Sequence, residues 1–104
     1  MGKNKDRESL IRLIANTLVH EVFLKNTNRI GSKHFLASEI AEYRSQTGLI
    51  ASNFNWNDGD IDYVTEKSLK KIKEKLSLKY SDIIYSETDL ITRLNEFARE
   101  IMIE

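Results

Sequence analysis

The chain has 104 residues, 16 basic and 16 acidic side chains, and neither cysteine nor proline. This length is that of one domain, which can bury a core without disulfides or bound metal. The absence of cysteine excludes thiol catalysis, thiolate zinc sites and disulfide frameworks and favours a reducing compartment. We therefore expect one cytoplasmic domain over residues 1–104, with about five flexible residues at its start.

Charge and hydropathy narrow the classes of partner. No apolar run approaches the roughly 20 residues that cross a bilayer, and the first residues lack the apolar stretch of a secretion signal, so no membrane partner is expected. A net charge of zero gives no overall attraction to nucleic acid. The charges are nevertheless segregated: residues 1–35 hold seven basic and three acidic groups, residues 36–62 one and five, residues 63–80 six and two, and residues 81–104 two and six.

The first half of the chain predicts two helices. A helix of about residues 6 to 25 is indicated by apolar residues that recur at helical period on one face. These residues are Leu10, Ile11, Ile14, Ala15, Leu18, Val19 and Val22. Turn-forming residues 26–31 end this helix, and Ser32 is expected to cap a shorter helix of about residues 33 to 46, which ends before Gly48.

A connection with two aromatic residues follows. Asparagines alternate with Phe54 and Trp56 in residues 49–57, which predicts a loop or short extended piece that packs the two rings. Residues 58–60 then predict a turn with carboxylates that cap a third helix, of about residues 61 to 79.

A fourth amphipathic helix completes the pattern. Ser86 is its expected N-cap, because Asp89 stands three residues later as in a capping box. Its apolar face comprises Leu90, Ile91, Leu94, Phe97, Ala98 and Ile101. The sequence therefore predicts an all-α fold: a compact four-helix domain with short connections, no substantial sheet, and helix in more than half of the residues.

The middle of each apolar face predicts the core. Leu18, Ile40, Ile72 and Phe97 stand centrally on their faces, and we expect all four to be buried.

Histidine chemistry has little support. His20 and Glu21 begin a zinc-protease pattern, but Leu24 stands where the second histidine is required. The helical pattern also places His20 opposite the apolar face, where we expect it to be solvated, and His34 is likewise expected at the surface. No catalytic pair is indicated.

The acidic cluster of Asp58, Asp60 and Asp62 suggests a calcium site, but its residues do not fall on the ligand positions of an EF-hand loop. With Gly59 in the glycine position of an EF-hand loop, aromatic side chains occupy the first and third ligand positions. Helix capping explains these carboxylates better. No phosphate-binding loop is present, so we predict no metal, no cofactor, no small-molecule substrate and no enzymatic activity.

The third predicted helix is rich in lysine. Lys67, Lys70, Lys71, Lys73 and Lys75 could lie along a phosphate backbone and bind nucleic acid. The simpler interpretation is a solvated helix face, because the lysines cover the whole arc outside the apolar stripe. Residues 37–42 also resemble the first helix of a helix-turn-helix, but Ser45 stands where the turn glycine is expected.

Several apolar residues lie off the main helical stripes. These residues are Leu13, Phe23, Leu24, Met102 and Ile103. If each helix of a small domain buries only one face, these five residues lie outside the core. They then either pack irregularly at the helix ends or form a second interface, with another protein or with a second copy of the chain. The preferred interpretation is a non-catalytic protein-interaction module, such as an adaptor, accessory subunit or inhibitor, which could self-associate. The alternative is a small nucleic-acid-binding protein or transcriptional regulator that uses the basic helix.

Overall fold

A computed structural model describes the backbone of residues 2–26, 30–79 and 85–103. It contains four helices, α1 (Gly2–Asn26), α2 (Ile30–Ala51), α3 (Asp58–Lys79) and α4 (Glu87–Met102). Helix dominates the described ranges and no strand occurs in them, which confirms the predicted all-α class. Residues 27–29, in the middle of the predicted turn at residues 26–31, lie outside the described part of the chain, as do residues 80–84.

Ion pairs between helices show how the helices run. Arg7 Nη1 lies 3.2 Å from Asp60 Oδ1, so α1 and α3 start at the same end of the domain. Arg93 donates two hydrogen bonds to Glu21, of 2.9 and 3.0 Å, which join the end of α1 to the first half of α4. These bonds raise the pKa of Arg93 above its ordinary value. Helices α1 and α3 are therefore antiparallel to α4.

α1 is the central helix of the domain. It packs against α2, α3 and α4, whereas α2 and α3 share no contact in the described parts of the chain. Leu18 faces one side of α1 and Leu13 the other, yet their exposed fractions are only 1% and 4%. The premise that each helix covers one face was wrong for α1, because a helix with neighbours on both sides is apolar around much of its circumference.

The predicted core residues are all buried. Leu18, Ile40, Ile72 and Phe97 have exposed fractions of at most 8%. The amphipathic period therefore identified the inward face of each helix correctly.

His20 links α1 to α2 and is not solvated as predicted. Its Nδ1 lies 2.7 Å from the Asn16 carbonyl oxygen, its Nε2 lies 2.9 Å from Glu39 Oε2, and its ring centroid is 5.4 Å from that of Tyr43. The expectation failed because α2 covers the side of α1 opposite its main stripe. The side chain of His34 lies outside the described set.

Helix α2 is longer than predicted at both ends. It begins at Ile30, so Ser32 lies inside it and not at the cap, and it continues through Gly48 to Ala51. No described glycine has a positive φ, so Gly48 stays helical. The last carbonyl is satisfied from beyond the helix, because Trp56 Nε1 donates to the Ala51 carbonyl oxygen at 2.8 Å. This hydrogen bond from Trp56 stabilises the end of α2 at Ala51, whereas the sequence predicted that the helix ends before Gly48.

Helix α3 starts at Asp58, so the predicted turn at residues 58–60 belongs to its first helical turn. Asn57 Oδ1 accepts a 2.8 Å hydrogen bond from the Asp60 amide, and Asp60 Oδ2 accepts one of 3.3 Å from the Asn57 amide. This reciprocal arrangement is a capping box. A Cβ on Gly59 would lie 3.2 Å from Asn57 Oδ1, so glycine lets the capping side chain approach closely. Of the three carboxylates expected to cap the helix, Asp60 takes part in this cap, from inside the helix.

Helix α4 begins as the sequence predicts. Ser86 is its N-cap, and its hydroxyl oxygen accepts a 3.3 Å hydrogen bond from the Asp89 amide. Leu90, Leu94 and Phe97 then turn into the core.

Among the side chains that the structure describes, three that carry hydroxyl groups are buried on the helices. Thr17 and Thr47 donate to carbonyl oxygens of the preceding turn, those of Leu13 and Tyr43. Ser68, on α3, has an exposed fraction of 0%, and its hydroxyl has no hydrogen-bond partner among the described residues. A buried polar group without a partner lowers the stability of a fold.

Candidate functional site: a groove between α3 and α4

A surface groove of about 990 Å³ runs between α3 and α4. We call it the α3–α4 groove. Its lining comprises Asp58, Ile61, Asp62, Thr65, Glu66 and Leu69 of α3, Thr92, Asn95, Glu96 and Arg99 of α4, and Ile103 just after α4. The half-buried Ile61 and Leu69 and the exposed Ile103 form its apolar floor. Such a groove matches the size of a site for side chains of a partner.

A second depression continues the groove past the end of α4. We call it the aromatic cleft, and its volume is about 780 Å³. It contains Phe54 and Trp56, whose half-buried rings pack edge to face with centroids 5.5 Å apart, as the sequence predicts. The cleft shares Asp58, Ile61 and Ile103 with the groove. The groove and the aromatic cleft are therefore adjacent and share two apolar residues, Ile61 and Ile103.

Trp56 fixes the wall of the aromatic cleft. Its indole nitrogen is tied to the end of α2, at the Ala51 carbonyl oxygen, and its ring packs against the core. The two rings are thus held in place before any partner arrives. A rigid apolar wall lowers the entropy cost of binding.

Carboxylates border the groove. Asp58, Asp62 and Glu66 recur every four residues along α3, and Glu96 lies across from them on α4. Within the described part of the chain, none of these four carboxylates has an ion-pair partner within 4.0 Å. Arg99 supplies positive charge in the lining, but the groove as a whole is acidic.

The described residues offer little for other chemistry. No group of three or more histidine, aspartate or glutamate side chains among them could hold a metal ion. No described helix combines the length and apolar character needed to span a membrane.

The residues predicted to bind a partner divide into three groups. Leu13 and Met102 are 4% and 6% exposed, so their expected position outside the core is corrected. α2 covers Leu13, and Met102 packs into the main core cluster. Phe23 and Leu24, near the end of α1, are half-buried. Ile103, at 61% exposure, lies at the junction of the groove and the aromatic cleft.

The lysines of α3 do not form one continuous basic surface. Lys67, Lys70 and Lys71 are exposed, and Lys67 lies over the ring of Tyr63. Lys73 pairs with the Glu87 carboxylate of α4, and this hydrogen bond raises the pKa of the lysine. Lys75 is half-buried and already engaged in an interaction. The exposed group is therefore smaller than the predicted set of five.

Sequence reasoning missed the groove because three segments build it. Ile61 and Leu69 share the helical period of the core residue Ile72, and Ile103 was expected among the residues at the end of the fourth helix. The recurrence of Asp58, Asp62 and Glu66 at helical spacing could have indicated an acidic border.

Comparisons with protein-family models, curated proteins and solved structures return no match.

Proposed function

We propose that the chain is a non-catalytic protein-interaction module that binds its partner through the α3–α4 groove and the aromatic cleft. The observation that carries this proposal is that the groove and the cleft share Ile61 and Ile103, and that the cleft also contains Phe54 and Trp56. Aromatic side chains held in fixed orientation beside exposed aliphatic groups are typical of the centre of a binding surface.

The position of Ile103 supports the same proposal. An isolated exposed aliphatic residue needs no explanation, but this one lies where two depressions meet. A partner side chain placed there would contact both depressions at once. Burying such an anchor contributes more to affinity than contacts at the border of an interface.

The test uses Ile103→Asp, with Leu78→Asp as the matched control. Leu78 is 84% exposed on α3 and lines neither depression, so the two substitutions place the same charge on different surfaces. We expect affinity capture from the cells that make the protein to recover a partner with the wild type and with Leu78→Asp. Ile103→Asp should lose that partner, because a carboxylate would be buried unpaired in an apolar contact. Equal capture by the two variants would overturn the proposal.

Nucleic-acid binding through α3 is the second candidate. The exposure of Lys67, Lys70 and Lys71 on the outside of the helix favours it. If these lysines bind phosphates, changing all three to glutamine should lower the salt dependence of duplex binding by about 0.9 in log–log slope for each phosphate that is no longer neutralised. We expect capture to resist nuclease treatment and to tolerate the triple change. The opposite result would replace the interaction module with a nucleic-acid-binding protein.

A further inference from the structure

The acidic border of the groove has a regular spacing. Asp58, Asp62 and Glu66 are successive i, i+4 positions on α3, so they lie about 6 Å apart along the helix axis. Glu96 faces them from α4 across the apolar floor. The groove therefore combines an apolar centre with a row of carboxylates on the α3 side, whereas the α4 side carries Glu96 together with Arg99.

Helix capping explains only one end of this row. Asp58 stands in the first turn of α3, where the helix dipole stabilises a carboxylate. Glu66 lies in the middle of α3 and Glu96 in the second half of α4, beyond the reach of any helix N-terminus. Like charges one turn apart lower the stability of a helix. Neither capping nor an ion pair within 4.0 Å among the described residues explains Glu66 and Glu96, so we look for their partner in a ligand of opposite charge.

We propose that the groove receives an amphipathic helix of a partner protein. Its apolar side chains lie on the face toward Ile61, Leu69 and Ile103. Its lysines or arginines lie along the flank toward Asp58, Asp62 and Glu66 and at the position opposite Glu96. This inference rests on the proposed function and adds the chemistry of the partner. The shape agrees, because a helix laid into an apolar groove is a recurrent mode of recognition, and the described residues offer no sheet edge for strand addition. From Asp58 to Leu69 the groove is ~16 Å long, which accommodates about three turns of helix.

The border also disfavours two other classes of partner. Nucleic acids and anionic membranes would bring phosphates against Asp62, Glu66 and Glu96, and like-charge juxtaposition suppresses such complexes.

A second copy of the chain could supply positive charge to the acidic border of the groove but not an apolar stripe to its floor. Lys67, Lys70 and Lys71 of another copy could approach the carboxylates, but the apolar residue among them on the outer face of α3 is Leu78. The other apolar residues of α3, such as Ile72, turn into the core or its edge. A basic helix from a different protein offers both charge and an apolar stripe.

The test measures binding of two synthetic helical peptides of about three turns, which share one leucine pattern and carry either lysine or glutamate on the flanks. A third peptide has the lysine composition in scrambled order. Binding is followed by calorimetry, and by fluorescence of Trp56 in the aromatic cleft. We expect the lysine peptide to bind and to weaken as salt is raised, whereas the glutamate and scrambled peptides should bind at least tenfold more weakly.

Protein variants locate the binding charges. Glu66→Gln combined with Glu96→Gln should weaken binding of the lysine peptide about fivefold, because the change removes two ion pairs at a partly exposed border. Glu74→Gln, an exposed change on α3 outside the groove, is the control and should leave the affinity unchanged. Equal binding of the lysine and glutamate peptides, or an equal effect of the control, would overturn the inference.

Failure of the inference differs from failure of the proposed function. If Ile103→Asp abolishes partner capture while the charge of the peptides makes no difference, the interaction module stands and the basic helix does not. If sedimentation shows a dimer that Glu66→Gln with Glu96→Gln disperses, a second copy is the occupant and the inference is overturned.

Discussion

Removing the hydroxyl of Ser68 should stabilise the domain. The side chain is fully buried on α3, and its oxygen has no hydrogen-bond partner among the described residues. Desolvating such a group without a partner costs about 1–3 kcal/mol. Ser68→Ala removes this cost and changes the packing volume by one oxygen atom, so we expect the free energy of unfolding to rise by about 1–2 kcal/mol beyond any gain in helix propensity.

The contribution of helix propensity can be measured separately on the same helix. Ser77 is exposed on α3, so Ser77→Ala reports the preference of a helix for alanine, which is at most about 0.5 kcal/mol. Urea denaturation followed by far-UV circular dichroism gives both values, and thermal unfolding should show Ser68→Ala several degrees higher. If Ser68→Ala is no more stable than Ser77→Ala, the hydroxyl has a partner in solution and the reasoning is wrong.

Two further predictions concern the packing of α1. Leu18→Ala should lower the free energy of unfolding by about 2–5 kcal/mol, because it opens a cavity in the core. Leu49→Ala, at an exposed position, is the control and should change that free energy by less than about 0.5 kcal/mol. Similar destabilisation by both variants in urea denaturation would contradict the assigned core. Glu21→Gln should lower the free energy of unfolding by about 1–2 kcal/mol, because it removes the charge that Arg93 binds with two hydrogen bonds. A double-mutant cycle with Arg93→Gln should give a coupling energy near 1 kcal/mol. A coupling energy indistinguishable from zero would show that this ion pair does not hold α1 to α4.

The sequence predicts well those features that depend on neighbours in the chain. Ser86 and Asp89 are three residues apart, and their cap forms as expected. Ile72 and Phe97 were placed in the core from the period of their own helices, and both are buried. A local pattern suffices here, because the partners are within one or two helical turns or the inward direction is set by the helix itself.

Features that depend on distant neighbours were not predictable in this way. Gly48 favours a helix end, but α2 continues because a later residue, Trp56, satisfies its last carbonyl. His20 and Leu13 lie opposite the main stripe of α1, and α2 covers that side. The groove likewise requires the antiparallel approach of α3 and α4, which no spacing along one helix reveals.

The central position of α1 has a consequence for the order of folding. α1 is synthesised before the helices that cover it, and α2 alone can bury only the side that includes Leu13. The side that includes Leu18 stays exposed until α3 and α4, which come later in the chain, pack against it. A nascent chain that ends before α4 therefore presents an apolar helix face to its surroundings, and such faces promote aggregation or chaperone binding. The last part of this face is covered when α4 docks and Arg93 reaches Glu21.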